Sequence, residues 1–242
     1  MLITRDALVR AGLQETANAV ILEESSIELV PRKYWRDHSC KEVERRFGVS
    51  PEFQILDSNF HNRVVSRLKN SQKRGRPDVV HFALLDITST PLYMNDKIQV
   101  IIHTIDGHSI FVGKRVRVPR TLQRFCGVIS KILSESQNEA EMKHFEFAPN
   151  QTTAELISSI KKDRTIALSS QGIRTDLSTL VSETQSENKS TAWIIGGFPH
   201  GHFEESSRAI FDRLLSISES PLPAHVVTAR LCYELERILL NQ

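Results

Sequence analysis

Thr191-Ala-Trp-Ile-Ile195 runs directly into Gly196-Gly-Phe-Pro-His-Gly201. Five uncharged residues, three of them β-branched and one a tryptophan, form a run too short for a helix and suited to a strand buried on both faces. The glycines that follow close it with a turn. Upstream, Arg164-Thr-Ile-Ala-Leu168 reads as a second strand, ending in the turn Leu168-Ser-Ser-Gln-Gly172, and downstream Leu214-Leu-Ser-Ile-Ser218 reads as a third. Thr153 to Lys162 is helical in pattern. Thr175 to about Lys189 is polar, as a loop with a short helix would be. Ala224 to Leu240 closes the chain as an amphipathic helix, apolar at Val227, Leu231, Leu235, Ile238 and Leu239. Strands alternating with helices predict an α/β fold built on a parallel sheet with helices on its faces.

Toward the N-terminus, residues 5 to 18 read as an amphipathic helix and Asn18-Ala-Val-Ile-Leu-Glu23 as a short buried strand. Glu24 to about Arg46 is rich in charge and aromatics, and Ser50-Pro51 punctuates the chain before Phe53-Gln-Ile-Leu-Asp57, which marks an insertion or lid at about 24–52. His61 to Leu68 suits a helix. Lys69-Asn-Ser-Gln-Lys-Arg-Gly-Arg-Pro77 is a basic, turn-forming segment whose Gly75 and Pro77 oppose a regular element. Val79 to Leu85 fits either a strand or a buried helix. Ile98 to Thr104 and His108 to Val112, joined through Asp106-Gly107, predict a β-hairpin.

After Val118-Pro119, the stretch Arg120 to Leu133 places Leu122, Phe125, Val128, Ile129, Ile132 and Leu133 on one helical arc. Arg120, Arg124 and Lys131 fall within about 40° of one another on the opposite side, together with Gly127. A glycine inside a helix costs up to about 1 kcal/mol relative to alanine. Close approach by a partner and tight packing on another helix are the two reasons to keep it.

The 242 residues, 40% hydrophobic and 25% charged with only 10 Gly and 9 Pro, suffice for one domain with a sizeable core and carry no disordered or fibrous bias. No apolar run approaches the roughly 18 residues of a membrane helix. Met1-Leu-Ile-Thr-Arg-Asp6 has neither the apolar region nor the cleavage site of a secretion signal, so the expectation is a cytoplasmic protein. Cys40, Cys126 and Cys232 are odd in number and widely spaced, which fits reduced thiols. Charge is uneven. From His61 to Lys131 thirteen Lys or Arg stand against four Asp and no Glu, a net charge of +9 that leaves −7 on the rest of the chain. Such a concentration points to a polyanion, or to a merely solvated basic surface.

Ligands of parallel α/β sheets sit at the carboxyl ends of the strands. Three such ends carry the candidate chemistry: Leu168-Ser169-Ser170, Gly196-Gly197 through Gly201, and Ile217-Ser218 through Ala224. The glycine turn lacks the G-x-G-x-x-G spacing and the Lys-Ser/Thr of a P-loop, which argues against nucleoside triphosphates. It suits either an adenosine held by backbone and aliphatic contacts or a simple tight turn. His81, His103, His108, His200 and His202 show no metal-ligand spacing, so no metal is expected. Trp193 reads as core. Phe60 and Tyr93 fit either base stacking or ordinary packing.

Gly75-Arg-Pro-Asp78, Arg117-Val-Pro-Arg120-Thr-Leu-Gln-Arg124-Phe-Cys-Gly127, Gly196-Gly-Phe-Pro-His-Gly201 and Leu215-Ser-Ile-Ser-Glu-Ser-Pro-Leu222 together resemble the ribosome-biogenesis methyltransferases of the SPOUT class that act on small-subunit rRNA at N1 of a pseudouridine. The likeness spans nearly the whole chain, from Val20-Ile-Leu-Glu23 to the final helix. It implies one SPOUT domain over residues 1–242, with a C-terminal trefoil knot, the insertion at about 24–52 and a basic RNA-binding region at about 69–131. It also implies a homodimer in an archaeal-type cytoplasm, binding S-adenosylmethionine and small-subunit rRNA, with small-subunit ribosomal proteins as further candidate partners.

Residue by residue, the resemblance assigns the cofactor to Leu168, Ser169, Gly196, Gly197, Phe198, Gly201, Ile217, Ser218, Leu222, Pro223 and Ala224. It assigns RNA to Arg76, Asp78, Arg117, Arg120 and Arg124, with Arg76 and Asp78 the candidate catalytic residues. Asp78 either orients Arg76 and accepts a hydrogen bond, or caps a turn or helix after Pro77. Many relatives carry Asp-Ser-Pro where this chain has Ser89-Thr90-Pro91, and no general base is assigned. The competing expectations are a non-catalytic rRNA-binding assembly factor and a SPOUT methyltransferase acting on another RNA.

Overall fold

The computed structural model describes residues 16–134 and 144–240. One seven-stranded sheet organises them: β1 (Asn18–Ser25), β2 (Ile98–Thr104), β3 (Ser109–Val112), β4 (Phe145–Ala148), β5 (Arg164–Arg174), β6 (Thr191–Gly196) and β7 (Arg213–Ser216), in the order β4-β3-β2-β1-β6-β5-β7. β2, β1, β6, β5 and β7 pair in parallel, and the β2–β3 and β3–β4 pairs are antiparallel. The central strands β1 and β6 are buried on both faces, which is why Ala19–Leu22 and Ala192–Ile195 run without a charged residue.

Strand alternation divides the core. Val20, Leu22, Ile166, Leu168, Trp193 and Ile195 face one side, packed against α3 (Pro77–Thr88), α4 (Pro91–Met94), α5 (Leu122–Leu133), α7 (Leu177–Ser186) and α9 (Ala224–Leu239). Ile21, Ala167, Ala192 and Ile194 face the other, covered by α6 (Thr153–Ile160) and by Phe203 near α8 (Glu205–Arg208). Trp193 is fully buried, and its indole N–H donates to Asn18 Oδ1 at 3.0 Å. The segment after β1 builds its own small core from Val30, Cys40, Leu56, Val64 and Val65, with α1 (His38–Phe47) and α2 (Ser58–Val65) around it.

Several expectations change on folding. The helix expected over residues 5 to 18 falls largely on residues 1–15, outside the described residues, and Asn18 already begins β1. Val79 to Leu85 is helix: Pro77 occupies the first turn of α3, where its missing N–H costs nothing, so it starts an element instead of opposing one. Ser71–Lys73 forms a 3-10 turn inside the basic segment. The polar stretch after Thr175 holds the ten-residue α7, capped by Asp176.

β5 does not end at Leu168. Leu215 of β7 pairs with both Leu168 and Ile173, so Ser169 to Gly172 bulge outward within the strand. A Cβ on Gly172 would lie 2.3 Å from the carbonyl carbon of Leu215, which restricts this position to glycine. The β2–β3 hairpin forms as expected, with Gly107 at φ 76°.

Candidate functional site

The bulge within β5 and the carboxyl ends of β6 and β7 open into one cavity of about 670 Å³. Leu168, Ser169, Gly196, Phe198, Gly201, Ile217, Ser218, Leu222, Pro223 and Ala224 all line it, so residues spread over nearly sixty positions meet in one place. Leu168, Ile195, Ile217, Leu222 and Val227 supply aliphatic surface, and the strand ends supply backbone polar groups. That mixture and volume suit a nucleoside-sized ligand. A Cβ on Gly196, at the cavity wall, would come within 2.8 Å of the Phe198 ring. The hydrogen at that position keeps the wall open.

Gly197 has a different task. It is buried outside the cavity lining, its N–H donates to Glu23 O at 2.8 Å and its carbonyl accepts from Ser26 N at 2.8 Å. A Cβ there would stand 2.2 Å from Ser25 Oγ and 2.9 Å from Ser25 Cα. Gly197 thus ties the cavity turn to the end of β1 and does not line the pocket.

Arg76 and Asp78 stand on the rim, with Val79 and Phe82 of the same helix facing in. Arg76 forks onto Asp78 through Nε–Oδ1 at 2.8 Å and Nη2–Oδ2 at 2.6 Å. Those hydrogen bonds hold the Asp78 carboxyl below the usual carboxylate range, against a burial effect that opposes them, and raise Arg76 in turn. Asp78 is therefore a persistent anion and a weak proton acceptor. Both of its carboxyl oxygens accept from the Arg76 guanidinium, so orientation of Arg76 is its role in this geometry.

The basic region separates into two parts. The run expected to be open to a polyanion is largely neutralised inside the protein. Lys73 is 2% exposed and pairs with Glu24 and Glu204, with its Nζ 4.8 Å from the Phe198 ring centroid. Arg74 pairs with Glu28 and Asp106. These contacts brace the turn that walls the cavity. Arg117, Arg120 and Arg124, by contrast, are exposed and have no ion pair among the described residues. Arg124, Lys131 and Gly127 border a shallow recess on the solvent face of α5, with Pro119 and Val128 as its apolar walls.

α3 joins the two regions. His81 stacks on Phe125 of α5 at 4.8 Å, and one of its ring nitrogens, Nε2, bonds the Pro119 carbonyl at 2.7 Å. The next residue, Phe82, lines the cavity and meets His225 of α9 edge-on at 6.0 Å. Tyr93 is buried and its hydroxyl donates to Gly113 O, so it packs and does not stack on a base. Phe60 remains 41% exposed, edge-on to Phe47 at 5.4 Å. Cys40, Cys126 and Cys232 are free thiols, and burial pushes Cys126 and Cys232 up to about 12.

Sequence reasoning missed the buried acids of the Leu22-Glu-Glu-Ser-Ser-Ile-Glu28 stretch. Glu23 accepts from His103 Nδ1 at 2.9 Å and from Thr153 Oγ1 at 2.7 Å. Burial and the neighbouring Asp106 push Glu28 up to about 8, with Arg74 pulling the other way. Three acids in six residues was the available signal, because acids this dense beside a buried strand need cations from elsewhere in the chain.

Comparison with known proteins places this geometry. The model of the EMG1/NEP1 methyltransferase family matches residues 20–236. The ribosomal RNA small subunit methyltransferase Nep1 of Staphylothermus marinus is 31% identical over 221 residues, covering 91% of this chain and 95% of that protein. The protein of the same name from Sulfurisphaera tokodaii is 32% identical over 223 residues, covering 88% and 93%. Among solved structures, Archaeoglobus fulgidus Nep1 bound to S-adenosylhomocysteine superposes with a TM-score of 0.79 at 28% identity, over 92% of this chain and 99% of that one.

Proposed function

The chain belongs to the EMG1/NEP1 methyltransferase family, and from that premise we propose that it methylates N1 of a pseudouridine in small-subunit rRNA, using S-adenosylmethionine. The observation that carries this reading is the cavity itself. It gathers the three segments assigned to the cofactor and sets Arg76 and Asp78 on its rim, at the start of a helix that packs against the buried face of α5, whose opposite, exposed face is basic.

S-adenosylmethionine, when bound, supplies a methyl group on a sulfonium. Leu168, Ser169, Gly196, Phe198, Gly201, Ile217, Ser218, Leu222, Pro223 and Ala224 would hold it, offering apolar side chains and backbone polar groups in one cavity. Gly197 acts one step back by fixing the turn. The target base must leave its stack to reach the rim. Arg76 keeps the Asp78 carboxyl ionised and a weak base, so the proton lost from N1 would pass to water. Arg76, steered by Asp78, stabilises the negative charge that develops on the ring. Alignment of nucleophile and methyl supplies much of the remaining acceleration. Arg117, Arg120 and Arg124 hold the RNA backbone.

The same reading includes a C-terminal trefoil knot, a homodimer, a cytoplasmic setting and contact with small-subunit ribosomal proteins during assembly. Transfer of labelled methyl to two small-subunit rRNA hairpins, one with uridine and one with pseudouridine at the loop position, tests the reaction. Labelling of the pseudouridine hairpin alone is expected. Tight binding with no labelling of either hairpin overturns the assigned chemistry in favour of an assembly factor.

A further inference from the structure

Gly127 sits in the middle of α5, where glycine is unfavourable, yet a Cβ built on it meets nothing within 4 Å. Internal packing therefore does not require a glycine here. Its backbone is exposed and forms the floor of the recess bounded by Pro119, Val128, Arg124 and Lys131. Arg124 precedes it by three residues and Lys131 follows by four, so all three share one face, with the two cations roughly 10 Å apart along the helix axis. Among the described residues, no acidic side chain lines this recess. A bare helix backbone beside the exposed Arg124 and between two apolar walls accommodates a group that is flat or narrow on the inside and anionic on its flank.

We propose that this recess seats one nucleotide of the rRNA strand beside the target base, with its ribose resting on the Gly127 backbone between Pro119 and Val128 and a flanking phosphate reached by Arg124. The assignment rests on the RNA-methyltransferase reading and adds to it a contact made by shape. Arginines recognise phosphate anywhere along a strand, whereas a floor without a side chain fixes the depth at which the strand lies. Gly127 thereby sets how the RNA docks relative to the cavity rim, through the α5–α3 contact of Phe125 with His81.

Gly127→Leu and Gly127→Ala test this directly, since leucine and alanine are better helix formers and the site is open enough to accept either without a fold defect. Both variants are expected to melt at or above the wild-type temperature. Gly127→Leu is expected to raise Kd and KM for the pseudouridine hairpin at least tenfold, with the S-adenosylmethionine Kd and the slope of log Kd against log salt unchanged, because no charge is removed. Gly127→Ala should fall between. Wild-type hairpin affinity in Gly127→Leu, beside a wild-type enzyme that binds and methylates, overturns the recess assignment alone. Absence of binding and transfer in the wild-type enzyme overturns the functional reading instead. A changed oligomeric state of Gly127→Leu in sedimentation overturns the proposal by assigning the face to a second copy of the chain.

Discussion

Arg76 and Asp78, two residues apart across Pro77, form a two-pronged ion pair at the mouth of the cavity, with bonds of 2.8 and 2.6 Å. Pro77 begins α3 and turns the chain so that the guanidinium folds back over the first helical turn. The short spacing makes the pair local, but its placement depends on β5, β6 and β7 bringing their loops to the same spot.

Asp78→Asn removes the charge and weakens one prong. The expected result is a kcat loss on the order of tenfold to a hundredfold, as for a mispositioned group, with little change in S-adenosylmethionine affinity. Single-turnover methyl transfer and calorimetric binding measure the two. A loss of cofactor affinity equal to the loss of rate would place Asp78 in cofactor binding.

The same pair predicts an acid dependence. Arg76 hydrogen bonding depresses the Asp78 carboxyl, so the stability it contributes is complete above the unfolded carboxylate pKa of about 3.9 and is lost as pH falls through the lower folded value. The Tm difference between wild type and Asp78→Asn is expected to be constant above about pH 5 and to close below about pH 4.

His103 has the opposite sign. Burial alone would lower its pKa, but the hydrogen bond and charge of Glu23 outweigh that and raise it. Its contribution is full below the unfolded histidine value of about 6.5 and fades as pH rises through the higher folded value. His103→Gln leaves Glu23 buried without its cation and should cost about 3 kcal/mol in urea unfolding at about pH 5.5, with a smaller loss at about pH 9.

Arg120→Ala should weaken hairpin binding and reduce the slope of log Kd against log salt by about 0.7 to 0.9, the loss of one phosphate contact. Lys73→Met should leave that slope unchanged, because Lys73 is buried among Glu24 and Glu204. A fall in slope for Lys73→Met would show that the buried lysine reaches RNA.

Gly197→Ala and Gly196→Ala separate two neighbouring glycines. The first drives a Cβ against Ser25 backbone and should cost about 1–3 kcal/mol of stability. The second meets only the Phe198 ring, which can turn, so it should cost less stability and act mainly on cofactor affinity. Thermal melts with and without S-adenosylhomocysteine distinguish the two.

Much of this was legible in the residues. The runs at Asn18, Ile98, Arg164 and Thr191 became strands because apolar, β-branched segments of that length bury best in a parallel sheet. The stripe of α5 and the Asp106-Gly107 hairpin followed from period and turn chemistry. The three segments that line the cavity stood out as turns after apolar strands, and the resemblance to SPOUT methyltransferases assigned them to the cofactor, although Gly197 lines no cavity.

Pairing and burial were not legible, because they depend on contacts between distant segments. Val79 to Leu85 suited strand and helix alike until packing against α9 and α5 decided for helix. Lys73, Arg74 and Arg76 look equivalent in the chain, yet the first two are neutralised by Glu24, Glu28, Asp106 and Glu204, and only Arg76 reaches the rim. The sequence by itself determined the apolar strands and the amphipathic helices, the turns that follow the strands and how much positive charge is available. The tertiary structure alone decided which cations stay exposed, why Gly197 must lack a side chain and why Gly127 need not. Local pattern follows from chain neighbours, whereas charge compensation and steric room are properties of residues that meet only after folding.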